Sequence, residues 1–433
     1  MPRRRPPRVA FVTLGCPKNE VDSDRMAASL TGTFDLVADI DEAEAVVVNT
    51  CAFIREATEE SIAVILDVVG EWKSVAPGRR LVVTGCMPSR YGDDLSASMP
   101  EVDAFVPVLE EGRLAEVLAG FLGLAAPVAP AAAARLAPGP SAYLQISDGC
   151  HRSCTFCVIP SIRGDYKSRP ADEILTEARA LVAGGARELI LIGQDTSSWG
   201  RDLPGRPVLA ELVRALARAK GLSWLRLMYV QPDEITPELL EVMATSPNVC
   251  RYLDMPLQHA SREVLRRMGR RGDAGEYRRL IGVVRDLLPG VALRTTLIAG
   301  FPGETRDDAK RLLDFVREAK IDYVGVFPYS PEEGTPAAEM PDQVPARTRV
   351  ARAQRIRDIA DVIGFDRVAA LVGRTLEVLV EGVDEEGTTV GRHRGQAPEI
   401  DGVVLLDTPC AVGAIVNAEI TGSLGYDLIG EVR

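Results

Sequence analysis

Six short apolar runs separated by helical stretches constrain the fold of this chain more than any other feature of its sequence. The runs are Tyr143–Ile146, Glu188–Ile192, Trp224–Val230, Arg251–Met255, Ala292–Ile298 and Tyr323–Phe327. Strands that alternate with helices in this way form parallel sheets. Because a closed (β/α)8 barrel needs eight such units, we predict an open, partial (β/α)6 barrel. A helix over roughly Arg347–Ile363 closes this region, and Thr305 with Asp308 predicts a capping box at a helix start.

The sequence on either side of this region has a different pattern. Near the N-terminus, the runs Val9–Thr13, Ala45–Asn49 and Leu81–Thr84 and helices such as Glu56–Val69 indicate a small α/β domain with a parallel sheet. Near the C-terminus, short runs separated by glycine or acidic turns indicate a small OB-like β-barrel: Leu376–Val380, Thr388–Gly391, Val403–Leu406 and Ile415–Thr421. We therefore predict domains over residues 1–125, 141–364 and 365–433, with an Ala/Pro-rich linker over 126–140.

Cysteine content points to metal or redox chemistry in the cytoplasm. No apolar run approaches the roughly 18 residues needed to cross a bilayer, so no membrane association is expected. The N-terminus resembles a lipoprotein signal, but its apolar run, Val9–Gly15, is at the lower limit of the length that such a signal needs. Export is therefore not expected. The cytoplasm keeps thiols reduced, so the 8 cysteines are not expected to form disulfides.

Three of these cysteines form a closely spaced motif, Cys150-x3-Cys154-x2-Cys157, directly after the first predicted barrel strand. Three such thiolates can bind three irons of a 4Fe–4S cubane and leave the fourth iron open to the amino and carboxylate groups of S-adenosylmethionine (SAM). A zinc site is the alternative, but it needs a fourth protein ligand, and the adjacent His151 is poorly placed to supply one. The motif therefore predicts a radical SAM cluster.

A second set of cysteines is distributed along the N-terminal region. Cys16, Cys51 and Cys86 each follow an apolar run. Because the C-terminal ends of parallel strands meet at one edge of a sheet, these three thiols are expected to converge there. Three unrelated buried cysteines would be the alternative, since Cys packs well as a small apolar side chain. We predict a second 4Fe–4S site.

The remaining cysteines and two histidines are given no ligand role. Cys250 and Cys410 have no partner at ligand spacing, and core packing is expected for both. His259 is expected to be a satisfied polar residue. His393 is expected in an exposed, glycine-flanked loop.

With both cysteine sets in place, the chain resembles the methylthiotransferases, radical SAM enzymes with an N-terminal cluster domain, a partial barrel and a C-terminal TRAM domain. The resemblance covers the whole chain except the first residues and the linker. It implies that one cluster, with one SAM, produces a deoxyadenosyl radical. The other cluster presents sulfur, and a second SAM donates the methyl group.

Several motifs are similar to the branch that modifies an aspartate of small-subunit ribosomal protein twelve. They are Leu14-Gly15-Cys16-Pro17-Lys18-Asn19, Gln194-Asp195-Thr196, Met255-Pro256-Leu257-Gln258-His259 and the segment from Tyr329 to Thr335. The branch that modifies tRNA has Gln-Met-Asn after its first cysteine instead. This resemblance implies ribosomal protein twelve or the ribosome as partner, and an electron donor such as flavodoxin or ferredoxin.

Six further residues are candidates for binding SAM or substrate. They are Phe156, Gln194, Asp195, Gln258, Arg294 and Gly300. Most of the polar ones end barrel strands, where such folds place their sites. By resemblance, Phe156 lies near the adenine and Gly300 near SAM, although an aromatic core residue and a plain turn explain these two equally well.

Two alternative functions remain. The same chemistry could act on an adenosine of tRNA, or the clusters could be structural staples of a non-catalytic ribosome-binding protein. Residues 365–433 hold 5 Arg, no Lys and 12 Asp or Glu, a net charge of −7 out of −12 for the chain. Such a domain repels a phosphate backbone and attracts a basic protein, so a direct tRNA substrate is not expected.

Overall fold

The computed structural model describes residues 5–124 and 139–433, which divide into two compact units. The first unit comprises residues 5–124 together with Asp148–His151 and Cys157–Lys167. The second comprises residues 139–147, Arg152–Phe156 and Ser168–Arg433. The predicted linker, 126–140, lies outside the described residues apart from its last two. The predicted domain boundaries stay predictions, because the compact units divide the chain differently.

A five-stranded parallel sheet forms the first unit, in the order β2-β1-β3-β4-β5. Its elements are β1 (Arg8–Thr13), α1 (Pro17–Leu30), β2 (Asp35–Leu36), β3 (Ala45–Thr50), α2 (Arg55–Asp67), β4 (Arg80–Gly85), α3 (Cys86–Ser98), β5 (Ala104–Pro107) and α4 (Leu114–Leu122). Short 3-10 or π turns lie at Ile40–Glu42, Val68–Trp72, Lys73–Val75 and Val108–Arg113. Every residue of β3 is buried, as expected for a central parallel strand covered on both faces. The predicted N-terminal parallel sheet is confirmed.

An open six-stranded parallel sheet forms most of the second unit, in the order β13-β12-β11-β10-β9-β6. The first half of this part of the chain contains β6 (Ser141–Gln145), β7 (Ser147–Asp148), α5 (Ile159–Arg163), β8 (Lys167–Ser168), α6 (Ala171–Ala183), β9 (Glu188–Ile192), α7 (Leu209–Leu216) and β10 (Trp224–Leu227). Strands β7 and β8 form a separate two-stranded sheet, and Asp148, Lys167 and α5 belong to the first unit. The second half contains α8 (Pro237–Thr245), β11 (Val249–Asp254), α9 (Arg262–Arg267), α10 (Ala274–Leu287), β12 (Ala292–Ala299), α11 (Arg306–Ala319), β13 (Tyr323–Pro328), α12 (Pro336–Glu339) and α13 (Ala346–Ala369). The 3-10 turns Thr196–Ser198 and Pro232–Glu234 follow β9 and β10. The predicted partial barrel is confirmed.

Local sequence explains where several of these helices begin. The Thr305 hydroxyl accepts a hydrogen bond from the Asp308 backbone N–H, and the Asp308 carboxylate accepts one from the Thr305 N–H, both at 3.1 Å. This is the predicted capping box, and it satisfies two N–H groups that the first turn of α11 leaves without helical partners. Asp273 caps α10 in a similar way, accepting from the Glu276 N–H at 2.9 Å.

A closed five-stranded barrel ends the chain, in the order β14-β15-β16-β18-β17. The strands are β14 (Thr375–Val383), β15 (Thr389–His393), β16 (Val404–Leu406), β17 (Ile415–Leu424) and β18 (Asp427–Val432). The predicted OB-like barrel is confirmed, but β18 was missed because its sequence, DLIGEV, interrupts three apolar residues with two acidic residues and a glycine. Helix α13 also extends six residues beyond its predicted end, to Ala369.

A buried ion network joins this barrel to the partial barrel within the second unit. Glu188, the first residue of β9, accepts hydrogen bonds from Arg226 Nε at 2.7 Å and from Arg392 Nη2 at 2.5 Å. All three side chains are at most 1% exposed. The Tyr252 hydroxyl donates to Asp401 at 2.7 Å. The C-terminal barrel therefore covers the N-terminal ends of the partial-barrel strands.

Candidate iron–sulfur sites

The three N-terminal cysteines lie at the C-terminal ends of adjacent strands. Cys16 is the N-cap of α1 after β1, Cys51 follows β3 directly, and Cys86 is the first residue of α3 after β4. Strands β1, β3 and β4 are neighbours in the sheet, so the loops that follow them share one edge. The cysteines therefore occupy equivalent positions on three consecutive strands.

Asn19, the last residue of the motif that begins at Leu14, lies between these thiols. Its side chain is fully buried, and Oδ1 is 3.7 Å from Cys16 Sγ and 3.9 Å from Cys86 Sγ. Its Nδ2 donates at 2.9 Å to the carbonyls of Leu14 and Thr50, which lie just before Cys16 and Cys51. Asn19 thus holds the first two cysteine loops together. The motif resemblance included Asn19 in the sequence, but it did not predict this structural role.

Two glycines permit the close approach of these loops. Gly15 has a φ of +98°, and a Cβ there would lie 2.6 Å from Cys51 Cβ. Gly85 has a φ of +94°, and a Cβ there would lie 2.3 Å from Asn49 Oδ1 and 2.6 Å from the Thr50 carbonyl. No other residue fits either position without moving a neighbouring strand end.

Burial governs the protonation of Cys51 and Cys86 in the absence of metal. It raises the pKa of Cys86 to about 12 and raises that of Cys51 as well. The nearby Arg163 guanidinium opposes both shifts, and its own pKa is held above the ordinary value by Asp22. A buried thiol becomes a good ligand only when a cation compensates for its charge, and a bound iron–sulfur cluster provides that compensation.

The donor set suits an iron–sulfur cubane, because all three candidate ligands are thiols. A 4Fe–4S cubane takes one thiolate on each of three irons, so its ligands are more widely spaced than those of one ion. Three thiols around Asn19, with a buried arginine beside them, fit such a group.

The second cysteine set occupies an irregular loop between β7 and α5. Cys150, Cys154 and Cys157 are all partly exposed, so their thiols are accessible to a cluster. Within the second unit, Arg270 Nη1 lies 3.7 Å from Cys154 Sγ. The Thr155 N–H donates to the Met268 carbonyl at 3.1 Å, which fixes this part of the loop against the partial barrel.

Arg152, inside this loop, is a site residue that the sequence did not reveal. Its Nε donates to Asp195 at 2.5 Å, and its other nitrogens reach Asp233 at 3.1 Å and Glu234 at 3.3 Å. Desolvation opposes the charge of Asp195, but Arg152 and the hydroxyls of Ser197 and Ser198 prevail and lower the pKa of Asp195. Asp195 therefore anchors the cysteine loop.

The other predicted cofactor residues lie on loops or strands of the second unit. The Phe156 ring meets Phe301 edge-to-face, with centroids 6.4 Å apart. Gln194 follows β9, and Gly300 follows β12 directly, with its N–H donating to Glu304 at 2.5 Å.

Gln258 and Arg294 differ in their surroundings. Gln258 has a φ of +67°, and its Oε1 is buried with no hydrogen-bond partner among the residues that the structure describes. Arg294 pairs with Asp254 at 3.0 Å and lies 3.8 Å from Asp401, so its guanidinium is engaged with the C-terminal barrel. Cofactor binding by these residues stays a prediction.

Two of the remaining interpretations can be compared directly with the structure. His393 is not in an exposed loop: it is the last residue of β15, and its Nε2 is enclosed, because the partial barrel packs against this strand end. His259 is fully buried, but the expectation of a satisfied polar residue is only half met, because its Nε2 has no hydrogen-bond partner among the described residues. Its Nδ1 accepts from the Ser261 N–H at 2.9 Å, and its Nε2 lies 3.4 Å from Glu304.

The two unassigned cysteines belong to the second unit. Cys250 is fully buried in β11, and Cys410 packs against the core of the C-terminal barrel.

A crevice of about 1080 Å³ lies between the starts of β11, β12 and β13, the end of α13 and the start of β14. It is at the opposite strand ends from Gln258 and Gly300, so it belongs to neither cysteine site. No helix among residues 5–124 and 139–433 is long and apolar enough to span a bilayer.

Three family matches cover most of the chain. The uncharacterized protein family UPF0004 matches residues 8–107, the Radical SAM superfamily matches residues 144–316, and the TRAM domain matches residues 372–432. Each match falls on one of the three sheets described above. The first includes Cys16, Cys51 and Cys86, and the second includes the Cys150 loop.

Solved structures with a similar fold are radical SAM enzymes. The radical SAM methyltransferase TsrM from Kitasatospora setae, solved with cobalamin and a [4Fe–4S] cluster, gives a TM-score of 0.55 at 15% identity, over 86% of this chain and 80% of that chain. The cobalamin-dependent enzyme OxsB gives a TM-score of 0.53 at 12% identity, over 83% of this chain and 58% of that chain. These likenesses concern the fold.

Relatives of high identity match over the full length. The ribosomal protein uS12 methylthiotransferase RimO of Geobacter sulfurreducens is 46% identical over 98% of both chains. Its namesake from Symbiobacterium thermophilum is 44% identical over 99% of this chain and 91% of its own. That from Desulfitobacterium hafniense is 41% identical over 98% of both chains. This chain therefore belongs to the ribosomal protein uS12 methylthiotransferase family of radical SAM enzymes.

Proposed function

We propose that the protein adds a methylthio group to the β-carbon of an aspartate in ribosomal protein uS12. The observation that carries the proposal is the presence of two sets of three cysteines, in a chain similar over its full length to relatives named for this activity. Cys150, Cys154 and Cys157 would hold the radical SAM cluster, and Cys16, Cys51 and Cys86 the second cluster. The domains would be the cluster domain (1–125), the radical SAM domain (141–364) and the TRAM domain (365–433), with 126–140 as linker.

The chain's own residues would bind and orient the reacting groups. When bound, the clusters would supply the electron and the sulfur, and SAM would supply the hydrogen-abstracting deoxyadenosyl radical and, from a second molecule, the methyl group. Arg152 and Asp195 keep the Cys150 loop in place, and Asn19 keeps two of the N-terminal thiols together. Phe156, Gln194, Gln258 and Gly300 would line the SAM or substrate site. Their positions near strand ends, in a barrel packed with apolar side chains, would exclude water from the radical.

A protein substrate is favoured over tRNA by charge and by motif. The acidic C-terminal domain attracts a basic ribosomal protein and repels a phosphate backbone. We also propose a cytoplasmic location, where ribosomes and reduced thiols occur together, and flavodoxin or ferredoxin as electron donor.

The proposal is tested with anaerobically reconstituted enzyme, SAM and a reductant. The substrates are a uS12 peptide containing the target aspartate and, separately, unmodified tRNA. We expect mass spectrometry to find one added methylthio group on the peptide's aspartate and none on tRNA. A gain on tRNA alone would overturn the substrate assignment.

Cysteine variants separate the two cluster sites in the same assay. Replacing Cys16, Cys51 and Cys86 by alanine should halve the iron content and abolish methylthiolation, while deoxyadenosine still forms. The matched control replaces Cys250 and Cys410 by alanine and should keep both iron and product. Loss of all iron from the first variant would contradict the two-site assignment.

A further inference from the structure

We propose that Arg163 is a positioning residue shared by the two cysteine sets. In this role it connects the Cys150 end of the radical SAM loop to the N-terminal thiols. It also supplies the buried positive charge that sets the reduction potential of the cluster held by Cys16, Cys51 and Cys86. The inference rests on the proposed function only in requiring that this cluster binds.

The Arg163 guanidinium is enclosed in the first unit beside the N-terminal thiols. Its side chain is 2% exposed, and Nη2 donates to Asp22 at 2.7 Å and to Asn19 Oδ1 at 3.1 Å. The same Asn19 oxygen lies within 4 Å of both Cys16 Sγ and Cys86 Sγ, at 3.7 and 3.9 Å. The guanidinium therefore lies beside the thiols and contacts Asn19, the residue that holds their loops together.

The other end of the guanidinium reaches the radical SAM loop. Nη1 lies 3.4 Å from Asp148 Oδ1, and that oxygen also accepts from the Gly149 N–H at 2.9 Å. The carbonyl of Gly164, the residue after Arg163, accepts a hydrogen bond from the Cys150 N–H at 3.3 Å. A Cβ on Gly149 would lie 2.6 Å from the Gly164 oxygen. The backbone of Cys150 is thus fixed to the segment that carries Arg163.

Burial makes this charge effective at the cluster. Field strength falls with effective dielectric, so a cation enclosed beside a cluster acts on it more strongly than an exposed one. Nearby charge and hydrogen bonds are among the factors that set the potential of an iron–sulfur cluster. Reduction adds an electron, so removing the cation should make the reduced cluster less favourable. Asp22 partly neutralises the guanidinium, so removing the Asp22 charge should act in the opposite direction.

The test measures the N-terminal cluster alone, in a chain whose Cys150, Cys154 and Cys157 are alanine. An EPR-monitored redox titration compares this chain with its Arg163→Met and Arg163→Lys derivatives. For Arg163→Met we expect at least a tenfold lower ratio of reduced to oxidised cluster at a fixed potential, equivalent to about 59 mV for one electron. Arg163→Lys keeps the charge and should change the ratio less than threefold.

Two further variants distinguish electrostatics from loss of packing. Asp22→Asn should raise the ratio of reduced to oxidised cluster. Arg226→Met removes an equally buried arginine from the second unit and should leave the ratio unchanged. If Arg163→Met does not fold or does not hold iron, Asp22→Asn becomes the deciding variant. An unchanged or lowered ratio of reduced to oxidised cluster in Asp22→Asn would then overturn the proposal. A folded, iron-loaded Arg163→Met chain with an unchanged ratio overturns it too.

The positioning role of Arg163 is measured in the enzyme that retains all six cluster cysteines. We expect Arg163→Met to lower methylthio product per deoxyadenosine at least fivefold, because radical formation continues while the two sites lose their alignment. An unchanged ratio would overturn this part of the proposal. If the unaltered enzyme forms no methylthio product but Arg163→Met still shifts the potential, the proposed function fails and the electrostatic role of Arg163 stands.

Discussion

Two enclosed side chains of the C-terminal barrel, His393 and Asp401, have pKa values that differ from those of the unfolded chain. Burial, together with the charges of Arg226 and Arg392, lowers the pKa of His393 from 6.5 to about 3. Burial also raises the pKa of Asp401 from 3.8 to about 6, against the hydrogen bonds from Ala397 and Tyr252. Both residues therefore bind protons differently in the folded and unfolded states between pH 4 and 6.

Their contributions to stability between pH 4 and 6 should oppose each other. The unfolded chain binds the extra proton at His393, so that residue makes the free energy of unfolding rise with pH. The folded chain binds the extra proton at Asp401, so that residue makes it fall with pH. We expect His393→Gln to make the slope of unfolding free energy against pH more negative, and Asp401→Asn to make it more positive. Each change amounts to at most about 1.4 kcal/mol per pH unit.

Urea unfolding at several pH values between 4 and 6 measures these slopes. The double variant provides the control and should return close to the slope of the unaltered chain. Two single variants with parallel slopes would show that neither side chain changes protonation on unfolding.

The sequence revealed the cysteine thiols but not the residues that hold them in place. Cys16, Cys51 and Cys86 were placed together because each follows an apolar run. Arg163 has no comparable signal, because its partner Asp22 lies 141 residues earlier in the chain. Contacts of that kind depend on the tertiary fold and leave no periodic pattern.

The junction between β4 and α3 shows how an element's end fixes the site. Gly85 turns the chain from strand to helix with a φ of +94°, immediately before Cys86. Because a Cβ at Gly85 would overlap Asn49 and the Thr50 carbonyl, the turn and the end of β3 pack without space for a side chain.

Gly85→Ala should therefore destabilise the first unit and displace Cys86. Gly78→Ala is the matched control, since Gly78 has a φ of +96° and no atom within 4 Å of an added Cβ. We expect about 1 kcal/mol of destabilisation for the control, from its backbone conformation alone. Gly85→Ala should cost about 2 kcal/mol more because of the overlap. Thermal unfolding measures the loss of stability in both variants, and iron content reports the displacement of Cys86. Equal effects of the two variants would contradict the close packing at Gly85.

Elements with regular patterns were predicted well from the sequence. The runs predicted for β9 and β12 differ from the observed strands by at most one residue. Strand β9 is apolar after its first residue, and β12 alternates buried with partly exposed residues. Strand β18 was missed because half of a small barrel strand faces solvent and tolerates polar residues.

At the scale of the whole molecule, the ion network around Glu188 connects the partial barrel to the C-terminal barrel. Glu188 is enclosed between Arg226 and Arg392, which belong to β10 and β15. Opposite charges lower the pKa of Glu188 despite the desolvation that would raise it. The carboxylate is thus charged in the folded protein, and together with Glu381, which accepts from Arg392 at 2.6 and 2.7 Å, it balances the two guanidinium groups.

Glu188→Gln should leave two buried arginines without their shared counter-ion. We expect a loss of about 3 kcal/mol in the free energy of unfolding of the second unit, as is typical when one partner of a buried pair is removed. The control is Asp314→Asn, which removes an exposed pair with Lys310 and should cost less than about 1 kcal/mol. Denaturant titration measures both variants. A loss as small as that of the control would mean that packing, rather than this network, holds the two barrels together.

The arrangement of sheets was predicted from the sequence, but the way the barrels are joined was not. Strand and helix periodicity indicated a parallel sheet, a partial barrel and a small closed barrel. The residues that join the last two, such as Glu188 and Arg392, appear in the sequence as isolated charges. Such charges are usually exposed, so only the fold shows that they are buried.

The cysteine loop has a consequence for how this protein can be dissected. Residues Cys157–Lys167 belong to the first compact unit although they follow the predicted linker. Val158 and Ile162 from this segment pack into the same apolar core as Val46 and Trp72. A fragment that ends at residue 124 would therefore lack part of its own interior. The first unit is a module in space but not along the chain, and a truncation that preserves it must retain a segment from beyond the linker.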